Sequence, residues 1–370
     1  MGGGPIQDQL LIIFPFANPP EAAITHLRHK FPQIDIVTHI VPYTRDAALL
    51  ASNLPPNVYK DATMLCTVHA FPQALADAPK LSFVQLLSAG SNQIQPNPIY
   101  TDSEIPIATT TGIHGPQIAE WVVMTGLVFS HGYRKYYEDQ KRHEWAKNSF
   151  SAEVRDRVGL RLGVLGYGSI GRQVGRVAKA MGMQVLAYTA SEKSTPAKRR
   201  DPGFVVPGTG DEEGVIPDEW FSGLDKKSLH RFLKQGIDWL VVAVPLTKET
   251  THFLSTEEFR VMAEGLSGKD KEGRKPFVTN IARGPIIDQP ALIDALKDGT
   301  LGGAALDVTD PEPLPSDSEL WGLENVIITP HVAGSTTEYI TRALQVLETN
   351  LERRDKGEPM LNLVRRDRGY

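Results

Sequence analysis

Cysteine is almost missing from the 370 residues: Cys66 is the single one, so no internal disulfide can form. A lone thiol, with no charged-then-apolar leader at the start of the sequence, favours a reducing compartment, and the cytoplasm is the expected location. Basic charge is not in excess. With 39 Lys and Arg against 44 Asp and Glu the formal charge is −5, which argues against nucleic acid or an anionic membrane as the main partner. No apolar run is long enough to span a bilayer, and Ile6 stands where an N-myristoylation signal wants Ser or Thr. No short repeat or low-complexity tract is apparent, and no metal site is expected. What remains, 41% hydrophobic and 22% charged residues, is the composition of an ordinary globular protein with core enough for two domains.

Short β-branched apolar runs alternate with helical stretches along the chain. "LLIIFPFA", "IDIVTHI", "TMLCTVHA", "LSFVQLLSAG" and "IPIATTT" form one series, and "RLGVLG", "QVLAYT", "DWLVVAVP", "KPFVTNIA", "GGAALDV" and "NVIITPH" a second. Runs of this kind joined by crossovers predict parallel sheets covered by helices. The expected fold is therefore α/β, with two doubly wound parallel-sheet domains and a ligand cleft between them. Between the two series a long helical segment is expected, with Ile118, Trp121, Val122, Thr125 and Val128 along one face. The stretch from Glu192 to Asp225 is rich in Pro, Gly and charge but carries Phe204, Val205, Val206, Trp220 and Phe221. It reads as an ordered surface excursion rather than a linker.

"RLGVLGYGSIGRQVGRVAKAMG" is a strand, a tight turn and a helix, with Gly166, Gly168 and Gly171 in the G-x-G-x-x-G register. The first glycine allows the turn, the second lets the backbone approach a pyrophosphate, and the third lets helix and strand pack closely. Ser169 and Ile170, at the helix start, belong to the same anion-facing turn. A bare triplet is weak, but here it lies between two strands at the expected spacing, so a dinucleotide site is the stronger reading than a turn that binds nothing.

Three later strand ends carry polar residues. "NIARG" places Arg283 after a strand, "ALDVTDPEP" places Asp307 and Glu312 after the next, and "ITPHVAG" places His331 after a third. Reduction of a 2-oxo acid needs an Arg to clamp a carboxylate, a His to supply a proton, and a carboxylate to set the His tautomer and favour its protonated form. Each residue alone has a plain structural reading: Arg283 as a helix cap, Glu312 as a solvated turn residue, His331 as packing. Their joint order after a glycine fingerprint is what carries the chemistry.

With these motifs the chain resembles the D-isomer-specific 2-hydroxyacid dehydrogenase family, which includes glyoxylate and hydroxypyruvate reductases and phosphoglycerate dehydrogenase. The resemblance spans nearly the whole chain, through "GYGSIG", "VPLTKETTHFL", "NIARG", "GAALDVTDPEPLP" and "NVIITPHVAG". It implies a flavodoxin-like substrate domain from residues 1–114 and 331–370 and a Rossmann cofactor domain from 115–330. It also implies that Arg283, Glu312 and His331 are catalytic, and that the backbone of Ser88, Ala89 and Gly90 joins Arg283 in receiving the substrate. Val244, Pro245, Ala282, Asp307, His331 and Gly334 would border the cofactor, Asp307 near the nicotinamide. The segment from Glu120 to Trp145 is similar to the arm through which family members form homodimers, with an intramolecular core helix as the other reading. The implied activity is NAD(P)H-dependent reduction of a small 2-oxo acid, glyoxylate or hydroxypyruvate first, with His114 and Trp145 as candidates for the side-chain pocket. A cofactor-sensing corepressor or scaffold on the same fold is the second function kept open.

An acid is missing where such a site commonly has one. In NAD-selective proteins a carboxylate ending the second strand binds the adenosine ribose and repels a 2′-phosphate; Thr189 stands there instead. Ser191, Lys193, Lys198, Arg199 and Arg200 follow, so phosphate donors are at hand, each charge-assisted bond adding about 1.5 to 3 kcal/mol. Glu192 is the one nearby carboxylate that could replace the absent acid. NADPH is expected over NADH.

Overall fold

The computed structural model describes residues 8–15, 20–42, 44, 46–145, 154–267 and 273–367. Contacts divide the chain into two units, Met1–Ile113 with Thr336–Tyr370, and His114–Ser335.

The first unit is built on a five-stranded parallel sheet. Its strands are β1 (Gln9–Phe14), β2 (Asp35–Ile40), β3 (Met64–Thr67), β4 (Phe83–Leu86) and β5 (Ile107–Ala108), in the order β2-β1-β3-β4-β5. The apolar run Leu10–Phe14 is wholly buried, as a strand covered on both faces requires. The C-terminal helix Tyr339–Asp355 belongs to this unit. Lys30, closing helix Glu21–Lys30, pairs with Glu348 and Glu352 on it. Its buried Asn350 donates to the Gln85 Oε1 of β4 at 2.9 Å and accepts from the Leu361 N–H at 2.7 Å. A buried amide satisfied at both ends fixes one docking register.

The second unit carries seven parallel strands: β6 (Arg161–Leu165), β7 (Gln184–Thr189), β8 (Glu219–Ser222), β9 (Trp239–Val242), β10 (Phe277–Asn280), β11 (Gly303–Leu306) and β12 (Val326–Ile328). Their order is β12-β11-β10-β9-β6-β7-β8. Chain order reverses between β6 and β9, and such a switch point is where a doubly wound sheet binds ligands. Strand alternation divides the core. Leu240 and Val242 pack with Phe232 and Phe259 on one face, and Trp239 and Val241 with Trp121 and Val122 on the other.

Two elements depart from the sequence reading. The expected continuous helix is two, Gly115–Ser130 and Tyr133–Lys141, interrupted where Gly132 adopts φ 61°. Of its predicted face Ile118, Trp121, Val122 and Thr125 are buried, so the first half is a core helix. The second half buries nothing, and Trp145, past its end, is 92% exposed. The Glu192–Asp225 excursion also contains β8, which pairs with β7 from Leu186↔Glu219 to Thr189↔Ser222 and forms the edge of the sheet. Four residues between a Pro-Asp turn and a glycine are too few for alternation to announce a strand. Among the described residues no helix is long and apolar enough to cross a membrane.

Candidate active site

The site in the second unit starts at the exit of β6. Gly166 has φ 106°, and a Cβ there would lie 2.6 Å from the Ala243 carbonyl carbon and oxygen; a side chain is excluded by conformation and by space. Gly168 is the N-cap of helix Ser169–Ala180, no side chain caps that end, and a Cβ at Gly168 would meet nothing within 4 Å. A twelve-residue helix whose N-terminus has no side-chain cap and whose N-cap glycine has open space where a Cβ would stand fits the pyrophosphate of a dinucleotide. Ser169 and Ile170 are half-buried in its first turn and Gly171 is buried. Beside them β9 ends in half-buried Val244 and exposed Pro245, and β10 in buried Ala282.

At the exit of β7 the Thr189 hydroxyl donates to the Ser191 carbonyl at 2.8 Å. Glu192 is exposed and Lys193 half-buried, neither with an ion pair among the described residues. The basic residues beyond divide into two sets. Arg200 pairs with Glu213 at 2.9 Å and approaches Glu212 at 3.5 Å, and Arg199 lies over the Trp220 ring, so neither is the unengaged cation that the sequence alone offers. Among the described residues the Lys193 and Lys198 ammonium groups have no partner apart from a 3.5 Å contact of Lys198 with Ser194.

His331 and Glu312 meet. His331 Nδ1 lies 2.8 Å from Glu312 Oε1, both side chains being partly open to solvent. With a carboxylate at Nδ1 the proton belongs on that nitrogen, which leaves Nε2 as the one that can exchange a proton. His331 sits at φ 56°, a conformation costly for a residue with a Cβ. Asp307 holds it there. The buried Asp307 carboxylate accepts from Thr329 Oγ1 at 2.6 Å, from the Val332 N–H at 2.8 Å and from the Ala333 N–H at 2.9 Å, while its carbonyl accepts from the His331 N–H at 2.8 Å. The observed task of Asp307 in the protein is to pin the loop carrying His331, a function that sequence reasoning missed because the three donors follow it by more than twenty residues. Gly334, at the end of this loop, accepts from Gln117 at 3.2 Å and lies against the buried His114.

Arg283 follows β10, half-buried, with its guanidinium donating to the Ala282 carbonyl at 2.6 Å and its own carbonyl accepting from Asn280 at 3.0 Å. In the first unit the Ser88–Gly90 loop leaves β4. Its three carbonyls accept from Thr110 N–H, Thr111 Oγ1 and Ser88 Oγ respectively, whereas the N–H groups of Ser88, Ala89 and Gly90 donate to no described residue. Backbone donors left open on a pinned loop suit a carboxylate. Among the described residues one cluster of three His or carboxylate side chains lies outside these positions: His230, Glu257 and Glu258 approach one another, but Lys226 Nζ stands 2.9 Å from Glu258 and supplies the positive charge itself.

The sequence model of the D-isomer specific 2-hydroxyacid dehydrogenase family, NAD binding domain, matches residues 123–206 and 211–333. The chain belongs to this family. A putative 2-hydroxyacid dehydrogenase of Haemophilus influenzae is 32% identical over 308 residues, covering 79% of this chain and 84% of the relative. A glyoxylate reductase of Thermofilum pendens is 29% identical and covers 94% of this chain and 92% of its own. Among solved structures, a probable 2-hydroxyacid dehydrogenase from Rhizobium etli, in complex with NADP, HEPES and L(+)-tartaric acid, superposes with a TM-score of 0.71 at 27% identity, over 98% of this chain and all of that one. As a member of this dehydrogenase family the protein is an oxidoreductase acting on CH–OH groups with a nicotinamide dinucleotide.

Proposed function

We propose that the protein reduces a small 2-oxo acid, glyoxylate or hydroxypyruvate first, to the D-2-hydroxy acid, with NADPH as the preferred donor. The observation that carries this reading is the His331–Glu312 pair, 2.8 Å apart on a loop pinned by buried Asp307, in the unit that also holds Arg283 and the uncapped glycine turn. The similarity to a glyoxylate reductase over nearly the full chain supports the substrate class.

The dinucleotide, when bound, supplies the hydride. Gly166, Gly168, Ser169, Ile170 and Gly171 would receive its pyrophosphate, Thr189, Ser191 and Lys193 its adenosine end, and Val244, Pro245, Ala282 and Gly334 its flanks. Arg283 offsets the substrate carboxylate charge and polarises the carbonyl, and the open N–H groups of Ser88, Ala89 and Gly90 receive the carboxylate. His331 then gives the proton at Nε2 to the carbonyl oxygen as charge develops there, and Glu312, bonded to Nδ1, holds the ring in place. The first unit acts as substrate domain, the second as cofactor domain. We place the enzyme in the cytoplasm as a homodimer joined through the exposed arm of Tyr133, Tyr137 and Trp145.

A panel of 2-oxo acids assayed by loss of reduced nicotinamide absorbance tests the reading. Turnover of glyoxylate or hydroxypyruvate is the expected result. Binding of NADPH without turnover of any 2-oxo acid would favour a cofactor sensor instead.

A further inference from the structure

Arg172 comes directly after the third fingerprint glycine, is 4% exposed, and lies with its guanidinium over the Tyr167 ring. Its guanidinium donates to the Asp211 carbonyl and, at 2.6 Å, to the Arg199 carbonyl; Nε lies 3.5 Å from the Asp201 carboxylate. The grip is shared by its neighbours. Gln173 Oε1 accepts from the Gly210 N–H at 2.7 Å, and the Tyr167 hydroxyl donates to Asp211 Oδ2 at 3.0 Å. Burial, with Asp211 beside it, pushes the Tyr167 phenol up and keeps that donor protonated. Burying a guanidinium is costly unless its donors are met, and here they are spent on the Arg199 and Asp211 carbonyls and the Asp201 carboxylate, on either side of residues 207–210 where the family match is interrupted.

The contacts run on toward the adenosine end. Arg199 lies over the Trp220 ring at 5.6 Å and its Nε donates to the Lys193 carbonyl at 2.9 Å, while Thr189 holds the Ser191 carbonyl. We propose that Arg172 and Arg199 are positioning residues for cofactor selection, fixing the main chain of residues 191–199, which the Thr189 hydroxyl also holds, so that Ser191 and Lys193 present hydroxyl and ammonium donors to a ribose 2′-phosphate. This rests on the NADPH reading. An exposed loop that had to order on binding would lose affinity for that phosphate, and a loop held in advance does not. The effect of changing Arg199 or Gly214 is expected on ligands carrying the 2′-phosphate, because both substitutions lie outside the pyrophosphate turn Gly166–Gly171.

The test is calorimetric titration of the full-length protein, without cofactor, with 2′,5′-ADP and with 5′-AMP. Arg199→Met keeps a stem on Trp220 but removes the donor to Lys193. Gly214→Ala acts on the same point from the far end of the segment, since Gly214 has φ 68° and a Cβ there would lie 2.6 Å from the Arg199 carbonyl oxygen. Wild type is expected to bind 2′,5′-ADP at least about tenfold more tightly than 5′-AMP; both variants should cut that preference about fivefold with 5′-AMP binding unchanged, and Arg199→Lys should restore part of it. Variants that keep the full preference, or that weaken both ligands equally as a merely structural role would, overturn the proposal while leaving the NADPH reading intact. A wild type with no preference for 2′,5′-ADP removes that reading and the proposal with it.

Discussion

The proposed proton donation by His331 rests on a residue held at φ 56° with Nδ1 on Glu312. His331→Ala is therefore expected to lower kcat by about 10² to 10⁴ with cofactor affinity almost unchanged, measured by steady-state kinetics beside NADPH titration; full activity at neutral pH would remove His331 from the reaction. Asp307→Asn tests the support beneath it. An amide group replaces one of two oxygens that accept from Thr329, Val332 and Ala333, so a donor faces a donor, and kcat should fall at least about tenfold, or about 1.4 kcal/mol. A substitution at Thr189 tests a different quantity. Thr189→Asp restores the missing carboxylate and should move the NADPH-to-NADH ratio of kcat/KM toward NADH by about tenfold. An unchanged ratio would show that the acid is not what sets cofactor choice.

Helices Lys226–Leu233 and Thr256–Gly265 are joined through Glu258, which is 2% exposed. Burial alone would raise its carboxyl, but hydrogen bonds from His230 at 2.7 Å and Lys226 at 2.9 Å, with the Ser255 N–H, hold it below the ordinary 4.5. A carboxyl lowered in the folded state contributes stability that is present above the unfolded value and is lost as pH falls through the folded one. Glu258→Gln should accordingly melt below wild type at neutral pH, and the gap in Tm should close as pH drops below about 4.5. A gap independent of pH would mean that Glu258 acts by shape and not by charge. The His331 loop, the glycine turn and this helix pair were unequally visible in advance. Gly166, Gly168 and Gly171 stand within six residues, so spacing exposed them, whereas the side-chain and backbone donors to Asp307, and His230 and Lys226 on Glu258, come from distant segments and obey no local period.

The proposed homodimer rests on what the second half of the interrupted helix leaves uncovered. Helix Tyr133–Lys141 buries no residue, Tyr133 and Tyr137 stack at 6.2 Å, and both are exposed. Aromatics left open on a polar helix are suited to an interface. Light scattering should give twice the chain mass, and Tyr137→Asp should shift it toward the monomer; a monomeric wild type would leave the arm without that role.

Composition, strand runs and motif order dictated two parallel α/β units, the fingerprint turn and the three strand ends with Arg283, Asp307 and His331, because buried strands and tight βα turns are written in a few adjacent residues. The pairing of Glu312 with His331 was foreseen through family likeness, and its geometry came from the fold. Tertiary structure alone made β8 the sheet edge, broke the arm at Gly132, put Asp307 under the His331 loop, and engaged Arg199 and Arg200 while leaving Lys193 open. Each of these depends on groups far apart in the chain competing for the same partner, and that competition is settled only when the whole surface has packed.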